Sequence, residues 1–239
     1  MVAVNKQLPS SSNPAMVAVN KQLPSSSNPA MVADKKPQDS SQADSQKLKI
    51  LAEVVSTLTN PAIIFVVSLG FITYRYADTT EQFLRWTVVG TLLLVGPGII
   101  YTLTTWRKEK RVDIDISRRE DRIVPMMLAS LGALVGSYLI SSRVGNTNLL
   151  LTSNILVAML VSLTIITFQW KVSLHCATFA ALTTLLAVFV NPLFSVMFGL
   201  IILIGWARFY LKQHTLAQVI GGSLVGTAVT ALITILFNS

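Results

Sequence analysis

Cysteine occurs once in the 239 residues, histidine twice, and no Asp or Glu follows Asp121. The lone Cys176 rules out an intramolecular disulfide and a cysteine cage for a metal. The missing acids rule out a metal site assembled from two aspartate-rich loops. Charged residues are only 13% of the chain against 52% hydrophobic, and the mean hydropathy is +0.60. The apolar residues gather in runs about as long as a bilayer is thick, so the chain reads as an integral membrane protein. Its net charge of +8 sits mainly in the N-terminal tail and in loops beside apolar runs, without the aromatic-basic pattern of a nucleic-acid module. Membrane lipids with anionic headgroups are the expected partners, and nucleic acid is not.

Residues 1–30 are the segment "MVAVNKQLPSSSNPA" written twice, and "MVA" opens a third copy at Met31. A tract so rich in Ser, Pro, Asn and Gln buries too little apolar surface to fold, so residues 1–46 are expected to be a disordered tail without chemistry. The tail lacks the apolar run of a secretory signal and the arginines of a transit peptide. Residues 47–239 are the expected transmembrane domain.

Seven apolar segments follow, at about 60–77, 83–105, 125–142, 149–170, 175–190, 193–207 and 216–237. Each has the length of one tilted or slightly short spanning helix at about 1.5 Å per residue. The expected fold class is therefore all-α, a polytopic transmembrane helix bundle of six to seven spans. The count turns on Asn191 and Pro192, where proline forces a break or a tight hairpin. Gly96, Pro97 and Gly98 mark a kink in the second span, and "GGSLVG" at 221–226 reads as a helix-packing surface.

Counting crossings puts three polar clusters on one membrane face: "RKEKRVDIDISRREDR" at 107–122, "KVSLH" at 171–175 and "RFYLKQH" at 208–214. Seven Lys or Arg lie in the first of these alone. The positive-inside rule then places the clusters and the N-terminus in the cytoplasm and the C-terminus outside. Trp106, Trp170 and Trp206 fall at the same interface, as an aromatic belt would.

Two histidines, several arginines and a lysine at one edge of a helix bundle suit a phosphate attached to a greasy tail. Arginine pairs bidentately with phosphate oxygens. A neutral imidazole can attack phosphorus while a second protonates the departing oxygen, chemistry that needs no metal or other cofactor.

These residues resemble the three motifs of the type 2 phosphatidic acid phosphatase superfamily, Lys-x6-Arg-Pro, Pro-Ser-Gly-His and Ser-Arg-x5-His-x3-Asp. The third is matched by Arg208-x5-His214-x3-Gln218, preceded by Ala207, and the second by "VSLH", with Ser173 and His175 in register and Leu174 in place of glycine. The first has two registers, Arg111-x6-Arg118 followed by Arg119, or Asp115-x6-Arg122 followed by Ile123. The resemblance covers about residues 105–237. It implies a membrane lipid phosphatase acting on phosphatidic acid or on a prenyl phosphate or diphosphate through a phosphohistidine. His214 would be the nucleophile and His175 the general acid. Arg208 and Ser173 would hold phosphate oxygens, with Lys171, Arg118, Arg119 and Arg122 as further phosphate ligands and Asp113 and Asp115 in support. Gln218 replaces the family's Asp: one turn beyond His214 it is placed to hydrogen-bond a ring nitrogen, but it cannot offset charge on an imidazolium.

Two rival readings accompany this one. A lipid-phosphate-binding protein with weak or no turnover is motivated by Gln218 and the altered first motif. A metal-dependent prenyltransferase is motivated by "DIDISRREDRIVP", though the later loops offer no second acidic cluster.

Overall fold

The computed structural model describes residues 38–94, 96–109, 118–143 and 147–238. Every regular element among them is helical: α1 Gln38–Leu58, α2 Pro61–Tyr76, α3 Thr80–Leu94, α4 Gly96–Glu109, α5 Arg119–Arg143, α6 Thr147–Gln169, α7 Leu174–Phe189, a 3-10 turn Pro192–Met197, α8 Phe198–Tyr210 and α9 Leu216–Asn238. The duplicated segment, Met31, Arg111, Asp113 and Asp115 lie outside the described residues. The chain divides into a unit Met1–Asp39 and a body Ser40–Ser239.

Among the described residues five stretches are long and apolar enough to cross a bilayer: Thr80–Thr105, Arg119–Arg143, Thr147–Gln169, Pro192–Tyr210 and Leu216–Phe237. Gln42–Leu58 and Pro61–Tyr76, bent by 42°, meet the same criteria only when taken together, as one broken span or a re-entrant loop. α7 is shorter, at 16 residues. This set is compatible with a multi-pass membrane protein.

The boundaries follow from local chemistry. Asn60 caps α2, its side chain accepting from Ala62 N at 2.9 Å, and Pro61 occupies the first turn, where no N–H is needed. Asn191 repeats the device, accepting from Leu193 N at 2.8 Å ahead of Pro192. The chain therefore breaks after α7 and returns as α8, the hairpin alternative for "NP".

One boundary differs from the sequence expectation. Helix begins at Gln38, so residues 38–46 are not part of a structureless tail. Composition alone marks them as unable to fold; Asp44 and Lys47 pair at 3.2 Å along the helix, and the segment continues into Ala52 and Ser56, which are buried.

α7 is the centre of the body. His175 through Leu186 are all buried, and α2, α8, α9 and the 3-10 turn pack around it. A helix apolar on every side is stable only when surrounded, and α7 is surrounded. The outer helices turn Leu200, Ile202, Leu224 and Ile235 outward, as lipid contact requires. Hydroxyls stitch α5 to α6, through Ser130 with Thr164 at 3.0 Å and Ser137 with Ser153 at 3.3 Å.

α9 approaches α7 backbone to backbone. A Cβ built on Gly222 would fall 2.5 Å from the Ser173 carbonyl oxygen, and one built on Gly226 would overlap the Ala177 carbonyl oxygen. The "GGSLVG" stripe is thus where two backbones touch. Replacing Gly226 by Leu must push α9 off α7 and is expected to cost about 1–3 kcal/mol, as overpacking does. Gly199→Ala, where an added Cβ meets nothing within 4 Å, should leave stability unchanged. A denaturant titration of both variants in detergent measures the difference.

Candidate anion site at one end of the bundle

α8 ends in a reversal that fixes the spacing of Arg208 and His214. Lys212 takes a left-handed conformation, φ 56. Its N–H bonds the Phe209 carbonyl at 2.9 Å, and the Gln213 N–H bonds the Arg208 carbonyl at 3.0 Å. This is a Schellman end with lysine where glycine is usual. The His214 N–H also points to the Arg208 carbonyl, at 3.3 Å. A six-residue interval is therefore what one tight helix end dictates.

α9 then starts with a capping box. Thr215 Oγ1 accepts from Gln218 N at 3.4 Å, and Gln218 Oε1 accepts from Thr215 N at 3.2 Å. The same Oε1 lies 3.0 Å from His214 Nδ1. Because Thr215 N is a donor, the Gln218 atom it meets is the amide oxygen; because that oxygen only accepts, Nδ1 carries the ring proton. Nε2 is left as the lone-pair nitrogen. It is buried and has no hydrogen-bond partner among the described residues.

The second motif meets the third through the backbone. Ser173 N donates to the Gln218 carbonyl at 3.0 Å, and Lys171 Nζ donates to the Gln213 carbonyl at 2.9 Å. Ser173 is fully buried, and its side chain caps α7 by accepting from Cys176 N at 3.5 Å. From the first motif, Arg119 Nη1 reaches the Gln169 carbonyl at 3.0 Å, binding the start of α5 to the end of α6. Arg119 sits at the rim and Arg118 is exposed. Arg122 is the one drawn inside. It and Arg208 act electrostatically on both histidines. Of the two registers for the first motif, the structure brings in the basic residue of Asp115-x6-Arg122.

The resulting cluster is dry. Arg208 is 0% exposed, Arg122 4%, His175 4% and His214 5%. α5, α7 and α9 begin at this end, and α6 and α8 finish there, so helix amides and carbonyls both border the arginines. Burial, together with the charges of Arg122 and Arg208, holds the His214 imidazole at a pKa of about 3; the Gln218 hydrogen bond pulls the other way and Lys171 adds a smaller repulsion. At neutral pH His214 is an uncharged base in a positive environment. The arrangement can receive an anion with oxygens for the guanidinium forks, and it can present a nitrogen lone pair to it.

One contributor comes from outside the three motifs. Ser56 of α1 is 6% exposed; its Oγ accepts from Arg208 Nη1 at 2.5 Å, and its backbone hydrogen-bonds the imidazole of His175. The only sequence signal for it is the pair of small residues Ala52 and Ser56, one turn apart among bulkier neighbours.

No family model, curated protein or solved structure matches the chain.

The pH behaviour follows in sign. An unfolded imidazole titrates near 6.5 and the folded one near 3, so between these values the unfolded chain binds more protons. The contribution of His214 to stability is complete above about pH 6.5 and declines as the pH falls toward 3. In ring-nitrogen NMR of the His175→Ala protein, His214 should remain the neutral Nδ1–H tautomer at pH 5. Gln218→Glu, which puts a carboxylate on Nδ1, should raise its pKa by about 1–3 units. A His214 titrating near 6.5 in the unsubstituted site would contradict this electrostatic picture.

Proposed function

We propose that the protein is an integral membrane phosphatase that removes phosphate from a lipid phosphate monoester or diphosphate. The observation that carries this reading is His214: Nδ1–H is held by Gln218 Oε1 at 3.0 Å, and Nε2 is buried without a partner among the described residues, with the ring under the charges of Arg122 and Arg208. A buried lone pair in the field of buried cations suits attack on phosphorus. The resemblance of Arg208-x5-His214-x3-Gln218 and Ser173-x-His175 to the type 2 phosphatidic acid phosphatase motifs supports the same chemistry.

In this reading the chain crosses the membrane six or seven times, with the site at the cytoplasmic interface and the lipid tail left in the bilayer. Arg208 and Arg122 take the phosphate oxygens. His214 Nε2 forms a bond to phosphorus as the ester P–O bond breaks, and His175, as an imidazolium balanced by the bound phosphate, gives one proton to the departing oxygen and becomes neutral. Water, losing a proton to His175, then cleaves the phosphorus–nitrogen bond, releasing phosphate and restoring both histidines. Metal ions have no part in these steps.

Gln218 also favours a second reading, a lipid-phosphate binder with little turnover. A neutral amide fixes the tautomer but gives no charge compensation to the ring once it is phosphorylated.

The test is phosphate release from phosphatidic acid, a prenyl phosphate and a prenyl diphosphate by the purified protein with excess chelator. Release should survive the chelator and drop at least about 10³-fold in His214→Ala. Release that ignores His214 would sink the phosphohistidine route. Binding of the same lipids without release would establish the second reading.

A further inference from the structure

α1 meets the rest of the body through a narrow stripe and, nearer its start, through the Ser45 carbonyl, which accepts from Tyr210 OH at 3.2 Å. Of its described side chains only Ala52 and Ser56 are buried, with Val55 half-buried beside them. Leu51, Val54 and Leu58 are exposed on another side, and Lys49 and Glu53 pair at 3.8 Å on a third. Yet this lightly held helix reaches the middle of the site, where Ser56 touches both Arg208 and His175. These two contacts span most of the chain, Ser56 and Arg208 being 152 residues apart.

α1 also ends in a joint. Asn60 leaves the helical region, with φ −55 and ψ 131, and turns its side chain forward to cap α2. Pro61 has no N–H with which to continue the α1 ladder. The two helices therefore bend by 42° where they meet, and α1 can turn about Thr59 and Asn60 without unwinding α2.

The groups that Ser56 offers are those a phosphate ester would offer in the same place. An oxygen accepts from the Arg208 guanidinium, and a second oxygen lies on the imidazole of the proposed general acid. The Ser56 hydroxyl is neutral and accepts from the guanidinium through Nη1. A phosphate oxygen pair is charged and takes two N–H groups at once, so it binds the same fork more strongly.

We infer that Ser56 is a stand-in ligand: α1 closes the anion site by placing the Ser56 hydroxyl and carbonyl on Arg208 and His175, and an entering phosphate group displaces the helix about Asn60. This inference rests on the anion-binding reading of the site and adds how the site is closed and opened. α1 becomes part of substrate entry, and the exposed stripe of Leu51, Val54 and Leu58 is the face that moves against lipid.

The sign of one binding change tests it. Inorganic phosphate is titrated calorimetrically into the full chain and into Ser56→Ala. Removing a competitor for Arg208 should tighten phosphate binding by about tenfold, the equivalent of one hydrogen bond to a charged group. If Ser56 instead orients Arg208 for phosphate, the same substitution weakens binding and the inference fails. Motion is read separately from spin labels on Lys49→Cys and Leu216→Cys in lipid nanodiscs, Cys176 being fully buried. A longer distance should appear on adding phosphate, and should already be present without phosphate in Ser56→Ala. Phosphate that binds while α1 stays fixed would overturn the displacement alone. No phosphate binding by either chain would overturn the anion site itself, and the displacement with it.

Discussion

The backbone contact between α7 and α9 is the constraint on which the site depends. Gly222 lies against the Ser173 carbonyl and Gly226 against that of Ala177, so the two helices run closer than side chains would allow. One turn before Gly222, the Gln218 carbonyl receives the Ser173 N–H. The start of α7, carrying His175, is thereby tied to the start of α9, carrying the His214 loop. With bulkier residues at 222 and 226 the histidine motifs would separate, whatever their own sequences.

The charge distribution fits this geometry. A bilayer-embedded body can afford buried guanidinium groups only at its end, where helix termini and polar loops supply hydrogen bonds. Arg122 enters from the first turn of α5 and Arg208 from the last turn of α8. Between them stand two imidazoles, one of which is held neutral by burial and by the cations themselves. A cluster with so much positive potential and one prepared lone pair is organised for an anion. Gln218 serves three partners at once: it closes the α9 capping box, fixes the His214 tautomer and accepts the Ser173 amide. Its amide therefore has a structural role independent of any effect on reaction rate.

Helix positions were legible because apolar runs and their stops are local. Asn60–Pro61 and Asn191–Pro192 announce helix starts by cap and ring chemistry, and the described helices other than α1 fall on the seven apolar segments. The relation of Arg208, His214 and Gln218 was legible for the same reason, since a Schellman end followed by a capping box spans a dozen residues. The start of α1 was not. Its polar first turns carry the composition of a disordered tail, and what distinguishes them is the helix they continue into.

The sequence by itself therefore determined the all-helical class, the apolar segments, the gathering of polar clusters toward alternate helix ends and the local register of the histidine motifs. All of these follow from hydrophobic runs and hydrogen bonds within a few residues of one another. Only the tertiary structure decided that Arg122 rather than Arg118 enters the cluster, that α7 is the buried centre, and that Ser56 meets Arg208 and His175. Those pairings join residues from 53 to 152 positions apart, and they are set by which helix faces fit together, a choice that no short stretch of the chain encodes.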